Sequence, residues 1–359
     1  MSQRSTLVLS ALLLLGAASN QAQGQGQANC DRDCLRSTLM AYLDAVVADD
    51  PEAAPLVLGF RQTENAINVA PGDGVWQSVT GLGEVQRSYV DELSGQAAYF
   101  GAVEEGDETA IVTVRVKVEN RQITEAEWYL ARADDPGLNG PRQPGEPPAN
   151  LHNPEYLEQN PPPQRVVPPG ERVDRATLAR IVDSYYDAIT SHSRSPALVH
   201  EGCGRVENGT PAPGGAFLPP VQPRAGAPAP PPPPPSPPPL APGASPAGGA
   251  EAPPPGVGSR DCVAGLENFN ALMVTARRMP LIDEEAQIVL ATGMFIRRPG
   301  SPIPRLVSSW WFVIDEAKIR TTYTAMFYPP PHLAVPNWPP YDRNWPLAEG
   351  VVPAPAVPR

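Results

Sequence analysis

The chain has 359 residues, 49 of them proline, and a formal net charge of -12. That charge opposes binding to polyanions, whose affinity rests on phosphate neutralisation by Lys and Arg, so nucleic acid is not an expected partner. The length suits two domains of ordinary size, and the uneven placement of proline leaves less foldable chain than the count suggests.

Arg4, the apolar run Leu7 to Leu15 and the small residues Gly16-Ala17-Ala18-Ser19 have the layout of a secretory signal peptide, expected over 1–22. The run is too short to cross a membrane, and no later stretch is apolar for long enough. A secreted or periplasmic protein is therefore expected. In that compartment four cysteines read as two disulfides among three possible pairings. Cys203 and Cys262 bracket a proline-rich insertion, and a bond between them would contribute about 4 kcal/mol in the chain-entropy model. Cys30 and Cys34 then pair by elimination. The four have neither the tight paired spacing nor the nearby His of a zinc site, and no cofactor motif is present, so no metal or cofactor is expected.

Cys34, Leu35, Leu39, Tyr42, Leu43, Val46 and Val47 follow helical spacing, with Asp31 or Asp33 near the start and Asp49-Asp50-Pro51 at the end. Leu56 to Phe60 lead into Arg61-Gln62-Thr63-Glu64-Asn65, read as a short edge strand, and Pro71-Gly72-Asp73-Gly74 turns Trp76 into the core. From Arg87 the period changes to two: Val112, Val114, Val116 and Val118 alternate with Thr113, Arg115 and Lys117, the pattern of an antiparallel strand with one wetted face. Glu125 and Glu127 are expected on that wetted side. A helix packed into a curved meander of four strands, over 30–133, buries both apolar stripes.

Residues 134–172 turn to Pro, Gly, Asn and Gln and are expected to form a disordered linker. A second domain, 173–328, then repeats the order. Leu178 to Ile189 are a helix, Cys203 to Gly209 echo the Arg61 run, and Ile282-Asp283-Glu284 echo Val90-Asp91-Glu92. Leu266, Phe269, Leu272 and Met273 suggest a short helix before the strand Val274 to Asp283. A Pro-rich insertion over 210–258, with Pro230 to Pro239 broken only by Ser236, reads as extended polyproline, a solvated spacer or a docking segment for an unidentified protein. The tail, 329–359, carries Trp338, Tyr341 and Trp345 among prolines.

Cys30 to Leu35, Tyr42-Leu43-Asp44-Ala45, Arg61 to Asn65, Gly72 to Trp76, Asp91 and Val116-Lys117-Val118 resemble a family of secreted fungal and bacterial proteins known as a domain of unknown function. Tyr185-Tyr186-Asp187-Ala188, Cys203 to Gly209 and Arg277 to Glu285 look like its companion repeat. Ala66 stands where that family usually has Gly, and Ala286-Gln287 where it has Arg-Gly. The layout is similar to the cone-shaped α+β fold of nuclear transport factor two and the SnoaL-like polyketide cyclases. The resemblance implies two tandem cone-shaped domains, each a helix packed in a curved antiparallel sheet, joined by long disordered Pro-rich segments. It implies no catalytic residues.

A cone of this kind closes on an apolar pocket, the default place to look for function. The candidate polar groups are Arg61, Glu64, Asn65 and Asp91 in the first copy and Arg205, Glu207, Asn208 and Asp283 in the second. Asp91, Asp283, Glu64 and Glu207 are candidate proton-transfer carboxylates for a lyase, dehydratase or isomerase. The favoured reading is structural: Arg bridges Glu to tie strand to helix, and Asn caps a turn. His152, His192, His200 and His332 all fall outside the expected pocket strands. The expected function is that of an exported protein with no evident catalytic constellation, whose pockets hold a small apolar molecule or serve only as packing. An interaction scaffold using the proline tract is the remaining alternative. Asn208-Gly209-Thr210 also matches a glycosylation sequon.

Overall fold

The computed structural model describes residues 30–137, 151–211, 261–266, 272–297 and 306–329. The expected signal peptide, nearly all of the proline insertion, and Trp338, Tyr341 and Trp345 lie outside the described residues.

The first copy runs α1 (Arg32–Val47), β1 (Leu56–Glu64), β2 (Ile67–Val69), α2 (Val75–Ser78), β3 (Gly81–Asp91), β4 (Gln96–Glu105), β5 (Glu108–Glu119) and β6 (Gln122–Ala131). After α3 (Pro154–Gln159) the second copy runs α4 (Arg175–Ser191), β7 (Val199–Glu207), β8 (Thr210–Pro211), β9 (Leu272–Asp283), β10 (Ile288–Arg297), β11 (Leu306–Asp315) and β12 (Lys318–Phe327). The two six-stranded sheets have the same order, β2-β1-β6-β5-β4-β3 and β8-β7-β12-β11-β10-β9. The class is α+β, roughly two tandem sheet units.

Each long helix starts on an aspartate whose carboxylate accepts from the third backbone N–H beyond it, Asp31 from Cys34 and Asp174 from Thr177. Each then buries one stripe against its own sheet: Leu35, Leu39, Tyr42, Leu43 and Val46 on α1, and Leu178, Ile181, Val182, Tyr185, Tyr186 and Ile189 on α4. A fully buried side chain of this size contributes about 1.5–3 kcal/mol, so these stripes place the helices. Both expected disulfides are present, Cys30–Cys34 and Cys203–Cys262.

Four expectations are corrected. The Arg61 segment is not an edge strand, and its sheet is not wholly antiparallel: β1 is nine residues long and pairs parallel with β6, as β7 does with β12. Sequence periodicity reports facing but not partner, so this non-local parallel pairing left no local signal. The second correction concerns the polar face of β4–β6, which is covered by the second sheet. A core of Tyr89, Phe100, Ile111, Leu290, Trp311 and Tyr323 lies between the copies, with Tyr89 and Phe100 ring centroids 5.0 and 6.0 Å from Trp311. Thr113, on that face, accepts from Ser309 Oγ at 2.9 Å and Trp311 Nε1 at 2.8 Å.

Third, residues 151–172 are ordered along the seam between the copies. Leu157 is buried in the core between the sheets. Tyr89 donates to the Pro163 carbonyl and Arg87 to that of Pro162, while Arg165 reaches Asp315 and the carbonyls of Ala286 and Ile314. The composition is poor in apolar residues, but backbone carbonyls and one Arg supply the attachment that composition does not register. The helix expected around Leu266 to Met273 is also absent from its C-terminal part, since Leu272 already begins β9; residues 267–271 lie outside the described residues.

Candidate functional site

The two aspartates proposed for proton transfer sit at equivalent strand ends and cross to the opposite copy. Asp91 takes Arg175 Nη1 and Nη2 at 2.9 and 2.6 Å and the backbone N–H of Ile282 at 3.0 Å. Asp283 takes Arg32 Nη2 at 2.8 Å and the N–H of Val90 at 3.1 Å. The contacts are reciprocal, as at an isologous interface between identical subunits. Each aspartate also holds its own hairpin, Asp91 through Ser94 N and Asp283 through Ala286 N. Burial would raise Asp91, but the bonds from Arg175, Ile282 and Ser94 outweigh it and hold the carboxyl below its usual range.

Arg61 and Arg205 are not equivalent. Strand register pairs Gln62 with Ala126 and Glu64 with Trp128 in the first copy, and Arg205 with Thr322 and Glu207 with Thr324 in the second. Cross-strand pairs Val114–Trp128 and Trp310–Thr324 complete the correspondence. Gln62 therefore matches Arg205, Glu64 matches Glu207 and Asn65 matches Asn208. The spacing Arg-x-x-Glu in one copy and Arg-x-Glu in the other displaces Arg61 by one residue, and one residue along a strand reverses the face. Arg61 belongs to the seam side, where Glu125 and Glu127 raise and burial lowers its proton affinity, burial prevailing.

Asn65 and Asn208 have the same role. Both hold left-handed backbone, φ 47° and 45°. Asn65 accepts from Leu130 N and donates to Leu130 O; Asn208 does the same with Met326. Each side chain imitates one residue of strand pairing. Asn208 is fully buried, so the sequon it heads is closed to glycosylation in the folded protein. The next residues, Ala66 and Gly209, are also left-handed, φ 66° and 75°. So is Gln287, φ 54°, whose side chain bonds both the N–H and the carbonyl of Val173. A non-glycine residue held this way costs about 1–2 kcal/mol, offset at Gln287 by those bonds.

The interiors beneath the helices differ. In the first copy a closed network joins Trp128 Nε1 to Tyr42 Oη, Tyr42 Oη and Trp76 Nε1 to Gln62 Oε1, and Gln62 Nε2 to Glu64 Oε1. Glu64 also accepts from Val75 N at 2.9 Å. Gly74 allows this approach, since a Cβ there would stand 2.3 Å from Glu64 Oε1. Desolvation raises Glu64, with the bonds from Val75 and Gln62 opposing.

In the second copy Trp128 is replaced by Thr324 and Ala126 by Thr322. Between β8 and β9, the place that α2 holds between β2 and β3, the sequence Asp261-Cys262-Val263-Ala264 aligns with Asp73-Gly74-Val75-Trp76, which sets Ala264 against Trp76. Large side chains gather instead on β10 and β11: Phe295 and Trp310 stack at 5.8 Å, Trp310 and Phe312 at 6.1 Å, and Tyr185 meets both Trp310 and Phe312. The β7/β12 end is lined by small and polar residues. There Arg205 Nε faces Glu207 Oε1 at 3.2 Å, and Arg205 Nη1 and Tyr185 Oη donate to the Cys262 carbonyl. Arg205 thus pairs with Glu207 along one strand and also interacts with Tyr185 on α4. Glu207 is 1 % exposed. Desolvation lifts it to about 7 although Arg205 opposes the rise. Glu207 Oε1 and Thr324 Oγ1 receive no aligned hydrogen bond among the described residues.

A third polar cluster lies in the seam. Glu127, expected on a wetted face, is 5 % exposed. It accepts from Arg115 Nε at 3.0 Å and, with both oxygens, from Arg278 Nη2 of the other copy at 2.9 Å. Burial would raise Glu127, but Arg115 and Arg278 prevail and bring it to about 2. The seam opens outward into clefts of about 650 and 640 Å³. In the larger, Arg32, Arg36 and Arg165 are ion-paired with Asp283, Asp33 and Asp315.

Among the histidines, His200 departs from expectation by lying on β7, where Nε2 meets the Asp315 carbonyl at 2.9 Å. His152 is partly buried, which lowers its proton affinity. No helix among the described residues is long and apolar enough to cross a membrane. The two disulfides are compatible with an extracellular or periplasmic location.

Residues 171–326 match a family model described as a domain of unknown function (DUF8021). The match begins just before α4 and ends in β12, so it covers the second copy. No curated protein matches the chain.

Proposed function

We propose that this is an exported protein of two SnoaL-like copies, in which the second binds a small organic molecule between α4 and the β7/β12 end of its sheet. The first copy is a closed scaffold. The observation that carries this reading is the contrast at matched positions: Gln62, Trp76 and Trp128 complete a hydrogen-bonded, filled interior, and where Arg205, Ala264 and Thr324 replace them, Glu207 Oε1 and Thr324 Oγ1 have no aligned hydrogen bond among the described residues. Buried polar groups are normally paired, so an unmet cluster under an apolar wall marks where a ligand or bound water belongs. The aspartates at the seam have another part, which is to pin the copies together.

The test is a fragment screen by native mass spectrometry and thermal shift on the full chain. Thr324→Trp restores the indole of the first copy and should abolish binding, and Thr324→Leu should weaken it if the larger variant does not fold. A protein that takes no fragment, or variants that bind as the parent does, would overturn the reading.

A second reading is favoured by one observation, the near-complete burial of Glu207, which lifts its carboxyl to about 7. A carboxyl near pH 7 is matched to general acid or base work, as an isomerase or lyase requires. Turnover of a bound fragment that disappears in Glu207→Gln, with binding retained, would select it.

A further inference from the structure

We infer that the molecule taken up by the second copy presents a neutral O–H or N–H donor to Glu207, with Thr324 as its second polar contact. The inference rests on the binding reading above and concerns the chemistry of the same site.

The argument is an inventory of donors. In the first copy Glu64 has two, the Val75 N–H at 2.9 Å and the Gln62 amide at 3.0 Å. Neither has a counterpart in the second. Val263 N, at the position of Val75, donates instead to Asp261 Oδ1 at 3.1 Å. Arg205, at the position of Gln62, directs Nη1 to the Cys262 carbonyl, and its Nε approaches Glu207 without hydrogen-bond alignment. Thr324 stands directly beside Glu207 in the parallel register and is fully buried. One carboxylate oxygen and one hydroxyl therefore lie side by side with unmet capacity. An alcohol or phenol hydroxyl satisfies both, donating to the carboxylate and accepting from the Thr324 hydroxyl, and an amide does so with its N–H as donor and its carbonyl as acceptor. A carboxylate ligand would set like charges together, and Trp310 and Phe312 on the adjoining strand supply an apolar flank for the rest of the molecule.

Matched probes test the inference on the full chain. Phenol and toluene have nearly the same shape, as do cyclohexanol and methylcyclohexane. Plain apolar burial ranks the hydrocarbons first. A charged acceptor in the site should reverse that order, with phenol tighter than toluene by about tenfold or more at pH 8, since a hydrogen bond to a charged group contributes enough for such a ratio. Glu207→Gln should reduce the ratio several-fold, and Thr324→Val should reduce it independently. At pH 5.5 Glu207 becomes protonated and the ratio should shrink; of the groups facing it, Arg205 on β7 stays charged and Tyr185 on α4 stays neutral between these pH values, and Asp261 adds a nearby carboxyl that acts on Arg205. Equal binding of both probes, or a preference unchanged in both variants, overturns the donor inference and leaves the site standing. If neither probe of either pair binds, the site reading falls as well.

Discussion

Replacing Asp91 with alanine separates a seam pin from a catalytic acid. The carboxylate is 3 % exposed and takes two bonds from Arg175, at 2.9 and 2.6 Å, and one each from Ile282 N at 3.0 Å and Ser94 N at 3.1 Å. Removing one partner of a buried ion pair costs about 3–5 kcal/mol because the other charge is left uncompensated. The Arg175 side chain retains 28 % exposure and can rehydrate, which favours the lower end, about 3 kcal/mol. The described residues number between about 150 and 250, a size at which this corresponds to a melting temperature lower by about 6–12 °C. Denaturant titration and calorimetry should both report it, and a double-mutant cycle with Arg175→Ala should return a coupling of about 1–3 kcal/mol. The pH dependence has a definite sign. Asp91 is held below its ordinary value, so its contribution is fully present above about pH 4 and is lost as pH falls through the depressed value; the acid limb of Asp91→Ala should be flatter than the parent's. A variant that melts within about 1 °C of the parent would refute the pin assignment.

Glu207 carries the opposite sign. Its folded value of about 7 lies above the unfolded one near 4.3, so the folded protein binds the proton more tightly and stability falls as pH rises between those values, by about 4 kcal/mol in all. Urea titrations at pH 5 and pH 8 should show that loss in the parent and not in Glu207→Gln; equal slopes in the two proteins would contradict the desolvated state. Gly209→Ala should destabilise by about 2 kcal/mol or more, since its φ is 75° and a Cβ would stand 2.1 Å from the Asn153 carbonyl oxygen; an unchanged melting temperature would mean that the 151–172 strap does not lie where described. Asn208→Ala should lose about 2 kcal/mol through its two bonds to Met326, measured by calorimetry. In a glycosylating host the parent should show no added mass at Asn208, and a glycan there would show that its burial is incomplete.

The elements that local pattern can express were legible. Leu35, Leu39, Tyr42 and Val46 announce α1 by spacing, Val112 to Val118 announce β5 by alternation, and the turns at 120–121 and 316–317 follow from where alternation breaks. What escaped concerns the partner of a face. Thr113, Arg115 and Glu127 are polar, and a strand face of that kind satisfied by water reads the same as one satisfied by Ser309, Trp311 and Arg278 of a second sheet. The Arg61 to Arg205 pairing failed for a related reason: composition matched while parity did not, and the side on which a strand residue projects depends on parity alone. The signal that would have found Gln62 and Arg205 as partners is the Glu-Asn dipeptide two residues on, identical in both copies.

The exchange between the two interiors bears on why hydrogen bonding closes in the first copy and is left incomplete at Glu207 and Thr324 in the second. At one cross-strand pair the first copy has Val114 beside Trp128, and the second has Trp310 beside Thr324. Bulk has moved one strand over, away from the β7 edge and toward β10, where Phe295 and Phe312 extend the stack. A volume-conserving exchange of this kind keeps the helix seated at little loss of stability. It also removes the indole N–H that satisfies Tyr42 and, with Trp76 reduced to Ala264, the one that satisfies Gln62. Restoring packing alone would have needed only apolar residues at positions 205, 207, 322 and 324. The chain instead has Arg, Glu and two Thr there, three of them fully buried or nearly so beside a carboxyl raised to about 7. Such groups are destabilising unless something completes their hydrogen bonding, which is the physical reason for proposing this end of the second copy, over the seam and the first interior, as the place for a bound molecule.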